Sequence, residues 1–429
     1  MYTILDVSRL ISCVRRHSPS GIDRVEMAYA KRWLDEPQTS CDFAAQSAWG
    51  WFGLVPRRLV AALIEALELT WRRGPQADNA LNRARRIAAA LHARLALGAG
   101  RAALLARLEA QRHAVFLLVS HRSLESEAPI AALRRAGARF VPLIHDLIPL
   151  THPEYSRSQQ VARHAARIAT TASLADGIVV NSAFTASTLL PRLVRHGRAA
   201  PPLAIAPLGV DLLRTPPGLL PPEPYFVCLG TIEPRKNHLL LLNVWREMAE
   251  RALAQPGVAP PPKLLVVGRR GWENENVVDL LERCDLLRGL VQELGTPPDT
   301  EVARLVANAT ALLFPSFVEG YGLPVAEALS LGTPAICSDT APLREVGGAV
   351  PDYLGPLDGP GWMALIEAYA TSDSAARAAQ CARLRHWVRP CWSEHFNQVD
   401  TLLDQVVGLP RPAIRPLPQS LPSREPSLA

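Results

Sequence analysis

Several stretches of this chain are almost wholly apolar and then stop abruptly at glycine, proline or a polar residue. In the first half they are Ala114-Val-Phe-Leu-Leu-Val-Ser120, Ala138-Arg-Phe-Val-Pro-Leu-Ile144 and Gly177-Ile-Val-Val-Asn181. In the second they are Tyr225-Phe-Val-Cys-Leu-Gly230, Lys263-Leu-Leu-Val-Val-Gly268, Ala311-Leu-Leu-Phe-Pro315 and Thr333-Pro-Ala-Ile-Cys337. A strand of this kind offers no polar face to water and must be covered on both sides; the helical patterns between the runs supply the cover. The chain is thereby directed to an α/β class with parallel sheets, one series in each half. In such sheets ligands bind beyond the carboxyl ends of the strands, so the loops that follow these runs are the first places to look for chemistry.

A proline-rich stretch separates the two series, with Pro201-Pro202, Pro207, Pro216-Pro217, Pro221-Pro222 and Pro224. That composition favours extended linker structure, and 429 residues suffice for two domains with full cores. The expected division is residues 1–212, a linker at 213–224, a second domain at 225–390, a terminal helix at 391–409 and a disordered tail at 410–429, where proline recurs and apolar residues are too few to pack.

The densest signal lies after the Ala311–Pro315 run, in Phe317-Val-Glu-Gly-Tyr-Gly-Leu-Pro-Val-Ala-Glu327. Gly320 and Gly322 permit tight turns and close approach, and Pro324 suits the first position of a helix. A helix starting at Leu323 or Pro324 would present unpartnered N–H groups to an anion, with Glu319 in the preceding loop and Glu327 one turn in. On an unbroken helix two such glutamates would be ordinary surface residues; the Gly-x-Gly-x-Pro punctuation argues against that. In another strand-end loop stand Arg235 and Lys236, and Lys236 is one of only three lysines among 46 basic residues. A guanidinium fork, a compact ammonium and an open helix end together suit a diphosphate, and nearby carboxylates suit sugar hydroxyls. This combination describes a nucleotide-sugar site.

Other features carry less by themselves. Ser20-Gly-Ile-Asp-Arg24 before a helical pattern fits an anion cradle and equally an ordinary helix cap. His145 follows a strand, which puts its imidazole where a ligand would lie. Residues 57–112 alternate arginine with leucine and alanine, as basic amphipathic helices do; they fit an anionic membrane, an acidic ligand or a solvated face. The arginine bias is no sign of nucleic-acid binding. No apolar run is long enough to cross a bilayer and no signal pattern opens the chain, which points to a cytoplasmic protein. Seven cysteines without a CxxC pair point to reduced thiols.

Taken in order, these motifs resemble the retaining glycosyltransferases of family 4. Glu319-x7-Glu327 and Gly230-Thr-Ile-Glu-Pro-Arg-Lys-Asn-His238 carry most of the likeness. Ser20–Arg24, His145-Asp-Leu-Ile-Pro149, Ala175-Asp-Gly-Ile-Val-Val-Asn-Ser182, Pro207-Leu-Gly-Val-Asp211 and Arg344-Glu-Val-Gly-Gly348 extend it along nearly the whole chain. The resemblance implies the GT-B fold, two Rossmann-like domains facing a central cleft, the first holding the acceptor and the second the nucleotide sugar. A terminal helix at 393–408 would cross back to the first domain. It implies that Arg235 and Lys236 stabilise the leaving diphosphate, with Glu319 on the donor sugar, Glu327 on the ribose and His145 near the transferred sugar. Donor contacts would also come from Gly21, Gly230 and the backbone of Gly320, Tyr321, Gly322 and Leu323. The family needs no metal, in keeping with the absence of an Asp-x-Asp motif, and no cofactor beyond a GDP- or UDP-type donor substrate. Its reaction would place a sugar, with mannose suggested, on a glycan or polyprenyl-linked acceptor of a surface polysaccharide, with peripheral contact to anionic membrane. A sugar-nucleotide epimerase and a non-catalytic sugar-nucleotide-binding scaffold are the alternatives. In Gln292-Glu-Leu-Gly-Thr-Pro-Pro-Asp-Thr300, a segment that commonly helps bind the base, Thr-Pro-Pro is unusual and leaves uridine and guanosine open.

Overall fold

The apolar runs of the first half become the middle of a seven-stranded sheet in a computed structural model that describes residues 1–195, 200–211 and 224–409. Its strands are β1 (Tyr2–Asp6), β2 (Cys41–Gln46), β3 (Phe52–Val55), β4 (Ala114–Leu118), β5 (Arg139–Ile144), β6 (Ile178–Val180) and β7 (Leu203–Ile205), in the spatial order β3-β2-β1-β4-β5-β6-β7. All neighbours are parallel except β2 and β3, which form an antiparallel edge with Phe43 opposite Val55. The second sheet holds β8 (Tyr225–Leu229), β9 (Lys263–Val267), β10 (Val291–Gly295), β11 (Leu312–Phe314), β12 (Ala335–Ser338) and β13 (Asp352–Leu354), in the order β10-β9-β8-β11-β12-β13, and is wholly parallel. Each sheet is sandwiched between two apolar layers, as fully buried strands require. The parts of the expected linker at 213–223 and the expected tail at 410–429 lie outside the described residues.

Seven helices matter for the site and its surroundings: α1 (Gly21–Leu34), α2 (Arg57–Arg73), α3 (Asp78–Ala96), α4 (His238–Ala254), α5 (Asp299–Ala307), α6 (Leu323–Ser330) and α7 (Trp392–Gly408). The arginine-rich stretch is helical, but its apolar stripe is used internally: Val60, Leu63 and Leu67 of α2 and Leu91 and Leu95 of α3 are buried in the core of the first domain. What α3 shows to solvent is arginine and alanine together with Asp78, Asn79, Asn82 and His92, the arginines being Arg83, Arg85, Arg86 and Arg94. These helices therefore have no free apolar face to insert into a bilayer.

Helix α7 lies on the first domain. Phe396 meets Tyr29 and Trp33 edge-on, with ring centroids 5.1 and 5.8 Å apart, and the Tyr29 hydroxyl is 2.7 Å from His395 Nε2. Gly177 leaves room for Val406, whose methyl would be 2.5 Å from a Cβ placed there.

Candidate functional site

The loop that leaves β11 runs along the seam between the domains and enters α6. Gly322 is the N-cap residue, with φ of +110°, a region that strains any residue with a side chain. The helix begins at Leu323 with Pro324 in its first turn. Gly320 is pressed against the other domain: a Cβ there would lie 2.7 Å from both His145 O and Asp146 Cβ. Its carbonyl accepts from Ser182 Oγ at 2.9 Å, and the Tyr321 hydroxyl donates to Leu208 O at 2.8 Å. Tyr155 and Phe317 stack across the same seam, 5.3 Å apart and 7° from parallel. The glycine loop is thus held by the first domain on several sides. Tyr321 contributes its side chain to that hold and leaves only its backbone for a ligand.

Directly beside the loop, a short turn after β8 (Pro234–Lys236) brings in the two cations. Lys236 Nζ lies 2.5 Å from Glu319 Oε1 and 4.4 Å from the centre of the Phe314 ring, while Arg235 Nη1 donates to Glu319 Oε2 at 3.0 Å. Arg235 Nε is 2.5 Å from Glu233 Oε1. Glu233, Lys236 and Glu319 are all buried, so two carboxylates and two cations share one dry cluster with no net charge. Burial opposes ionisation of Glu319, but Arg235 and Lys236 together outweigh it and hold the carboxyl down at about 2. Burial lowers Lys236 despite the attraction of Glu319, and raises Glu233 despite Arg235. The cations expected to face a diphosphate are therefore already engaged, and an incoming diphosphate must share or displace Glu319. Gly230 lies behind this turn; a Cβ on it would touch the Lys236 stem at 3.4 Å.

His145 is buried at the end of β5, with Nε2 2.8 Å from Val119 O and its backbone N–H donating to His121 Nε2 at 3.1 Å. Burial lowers it to about 4, which keeps the ring neutral near pH 7. Its ring hydrogen bond runs into the first domain, while its carbonyl, beside Gly320, faces the seam. His121 and His164 stack edge-on in the same pocket of the fold, with 5.2 Å between each pair of centroids. Neither drew notice in the sequence, because an isolated histidine carries no spacing signal.

Gly21 opens α1 opposite α6: a Cβ on it would be 3.5 Å from Leu323 Cδ1. The helix is capped by a full Ser20/Asp23 capping box, and Arg9 braces it with Nε 2.6 Å from Asp23 and Nη2 2.9 Å from Ser20 Oγ. The helix cap and the proximity to the cleft are thus both real. Glu327 is raised by burial, with the charge of Arg24 opposing, and its carboxylate makes no hydrogen bond among the described residues. Glu345, within the Arg344–Gly348 motif, accepts from the N–H groups of Ala183 at 2.6 Å and Phe184 at 2.7 Å, and so caps a helix of the first domain from the second. Glu233, Arg24 and Glu345 all stand inside motifs visible in the sequence; Glu233 pairs with Arg235 two residues on, whereas the partners of Arg24 and Glu345 come from segments far away in the chain. No group of His, Cys, Asp and Glu able to hold a metal occurs among the described residues.

Residues 212–349 match the sequence model of the family Glycosyl transferases group 1. The chain is similar to that family over part of its length, a part that takes in strands β8 to β12 and the glycine loop. Its architecture is that of the GT-B glycosyltransferases: it superposes on Anabaena HepE in complex with UDP and glucose with a TM-score of 0.60 at 14% identity, over 95% of this chain and 100% of that one. On the sucrose-phosphate synthase of Thermosynechococcus elongatus the TM-score is 0.58 at 17% identity, over 95% and 99%. In sequence, the chain is 31% identical over 219 residues to the O-antigen chain mannosyltransferase B of Escherichia coli, covering 49% of this chain and 55% of the relative. It is 28% identical over 250 residues to the serotype-specific mannosyltransferase WbdA of Escherichia coli, covering 53% and 29%. The chain thus spans about half the length of the first of these relatives and under a third of the second.

Proposed function

We propose that this protein is a retaining, metal-independent glycosyltransferase that moves a hexose, mannose by preference, from a nucleoside-diphosphate sugar to a saccharide or polyprenyl-linked acceptor in the assembly of a surface polysaccharide. The single observation that carries the reading is the cluster of Arg235, Lys236 and Glu319 beside the glycine loop and the open start of α6. Departure of a nucleoside diphosphate builds negative charge on phosphate, and cations and N–H donors fixed in a dry site lower that barrier most directly. When the diphosphate takes Arg235 and Lys236, the Glu319 carboxylate is freed to accept from donor-sugar hydroxyls. Neutral His145 brings no charge that would compete for the phosphate. The O-antigen relatives support mannose and the polysaccharide setting. Retention rests on the resemblance to the retaining family 4 enzymes; with Glu319 doubly ion-paired and Glu327 one turn inside α6, it fits a same-face substitution in which the leaving phosphate helps deprotonate the acceptor rather than a covalent glycosyl-enzyme.

The reading is tested by incubating purified protein with radiolabelled GDP-mannose and a panel of UDP-sugars, a polyprenyl-diphosphate-linked saccharide and EDTA. Sugar transfer with the anomeric configuration kept and with EDTA without effect is the expected result. No donor bound or consumed sinks the assignment. Membrane contact, in the same reading, is electrostatic: α3 exposes Arg85, Arg86 and Arg94, while its Arg83 is paired with Glu65, and Trp49 and Leu97 are 75% and 87% exposed. Salt-sensitive co-sedimentation with phosphatidylglycerol vesicles is expected; equal binding to neutral phosphatidylcholine vesicles contradicts it.

A further inference from the structure

The Thr296-Pro-Pro298-Asp-Thr300 stretch, unusual as a base-binding segment, is docked on the other domain at three consecutive residues. Pro298 packs on Gly74 at the end of α2, where a Cβ would come within 2.7 Å of its Cγ. Asp299, the first residue of α5 and buried, receives both terminal nitrogens of Arg24, at 2.8 and 2.7 Å. Thr300 Oγ1 donates to Arg72 O at 2.9 Å. Two prolines in a row restrict the backbone of this stretch, so the contacts are made by a segment with little freedom to lose.

Arg24 sits one turn into α1, behind Gly21, on the helix that faces the start of α6. Three carboxylates act on its guanidinium: Asp299 through the bidentate pair, and Glu327 and Asp211 through their charge. Glu327 has no hydrogen-bonding partner among the described residues, and Arg24 is the cation whose charge opposes its burial. We infer that Arg24 is a positioning residue for the donor nucleoside, fastening segment 298–300 across the cleft while keeping the Glu327 carboxylate free to accept from the ligand. The inference rests on the transferase reading, in which Glu327 meets the donor ribose. It also gives Thr-Pro-Pro a role: the segment serves closure of the cleft, with Arg24 as its anchor. An ordinary surface ion pair would be monodentate, exposed and distant from the ligand groups. This one is bidentate, half-sheltered, and shares its cation with a site carboxylate.

The test uses GDP and UDP as probes, with dissociation constants from calorimetry, so that it does not depend on knowing the acceptor. Arg24→Ala is expected to weaken the better-bound nucleotide by about tenfold or more, the size of one lost charge-assisted contact. Arg24→Lys keeps the charge beside Glu327 and loses the fork, so an intermediate loss is expected. In a Glu327→Gln background the effect of Arg24→Ala should shrink to about threefold or less, because the carboxylate it serves is gone. A merely structural bridge would lower the melting temperature and leave this coupling at zero. Equal loss in both backgrounds, or Arg24→Ala binding nucleotide as the parent does, overturns the inference and leaves the transferase reading standing. Wild-type protein that binds neither GDP nor UDP overturns the transferase reading itself.

Discussion

Removing the Lys236 ammonium by Lys236→Met leaves Glu319 and Glu233 buried with Arg235 as the one cation paired with them among the described residues, an excess of one negative charge in the cluster. Breaking a buried pair from one side costs about 3–5 kcal/mol, because the abandoned charge keeps its desolvation penalty. The side chains are 8% and 9% exposed, so little of that penalty is relieved by water. Adding Glu319→Gln removes the abandoned charge, and the double variant should recover about 1–3 kcal/mol relative to the sum of the two single changes. Activity should behave in the opposite way. On the proposed reading, in which Lys236 meets the leaving phosphate, kcat should fall by roughly 10²–10³, equivalent to about 2.7–4 kcal/mol of activation free energy, and restoring charge balance should not bring it back. Chemical denaturation of the three variants beside single-turnover rates on the preferred donor measures both. Stabilities that add without coupling, or a double variant with the parent rate, would refute the account of a charge-balanced cluster that yields to diphosphate.

Two further outcomes follow from the geometry. Gly320→Ala would force its Cβ to 2.7 Å from His145 O and Asp146 Cβ, so the domains must part; solution scattering should show a larger radius of gyration and the transfer rate should drop, whereas an unchanged profile would mean the seam is looser than described. His145, His238 and His395 are each lowered by burial to about 4. Below the unfolded value near 6.5 the unfolded chain binds protons that the folded one refuses, so stability declines from about pH 6.5 toward pH 4, by up to about 1.4 kcal/mol per pH unit for each histidine. Denaturant midpoints across that range should fall with acid, and His238→Asn should remove one proton from the slope; a flat profile would contradict the burial of these rings.

The strands that were easiest to see in the sequence were the wholly buried ones, such as β4, β5, β8 and β9, because their apolar runs are uninterrupted. The strands at or near the sheet edges were hidden. Strand β3 is four residues long, β10 carries Gln292 and Glu293, and β7 and β13 are three residues each. Edge strands cover only part of their surface and need not be apolar. The arginine-rich helices were visible as helices, but which face they expose depended on a sheet the periodicity could not show.

For the site, local chemistry was legible: the glycine turn, the helix start at Leu323 and the rare lysine beside Arg235 all follow from residue type and short spacing. The sequence by itself therefore determined where a glycine turn opens a helix and which carboxylates flank it. It could not determine what those charges do while no ligand is bound, because Lys236 and Glu319 are 83 residues apart and Arg24 and Asp299 are 275 apart. Only the closed apposition of two sheets decided that the cations are balanced by Glu233 and Glu319, that His145 is neutral, and that Thr-Pro-Pro is a contact between domains. Pairing energies and desolvation depend on distance in space and on exclusion of water, and neither quantity is written along the chain.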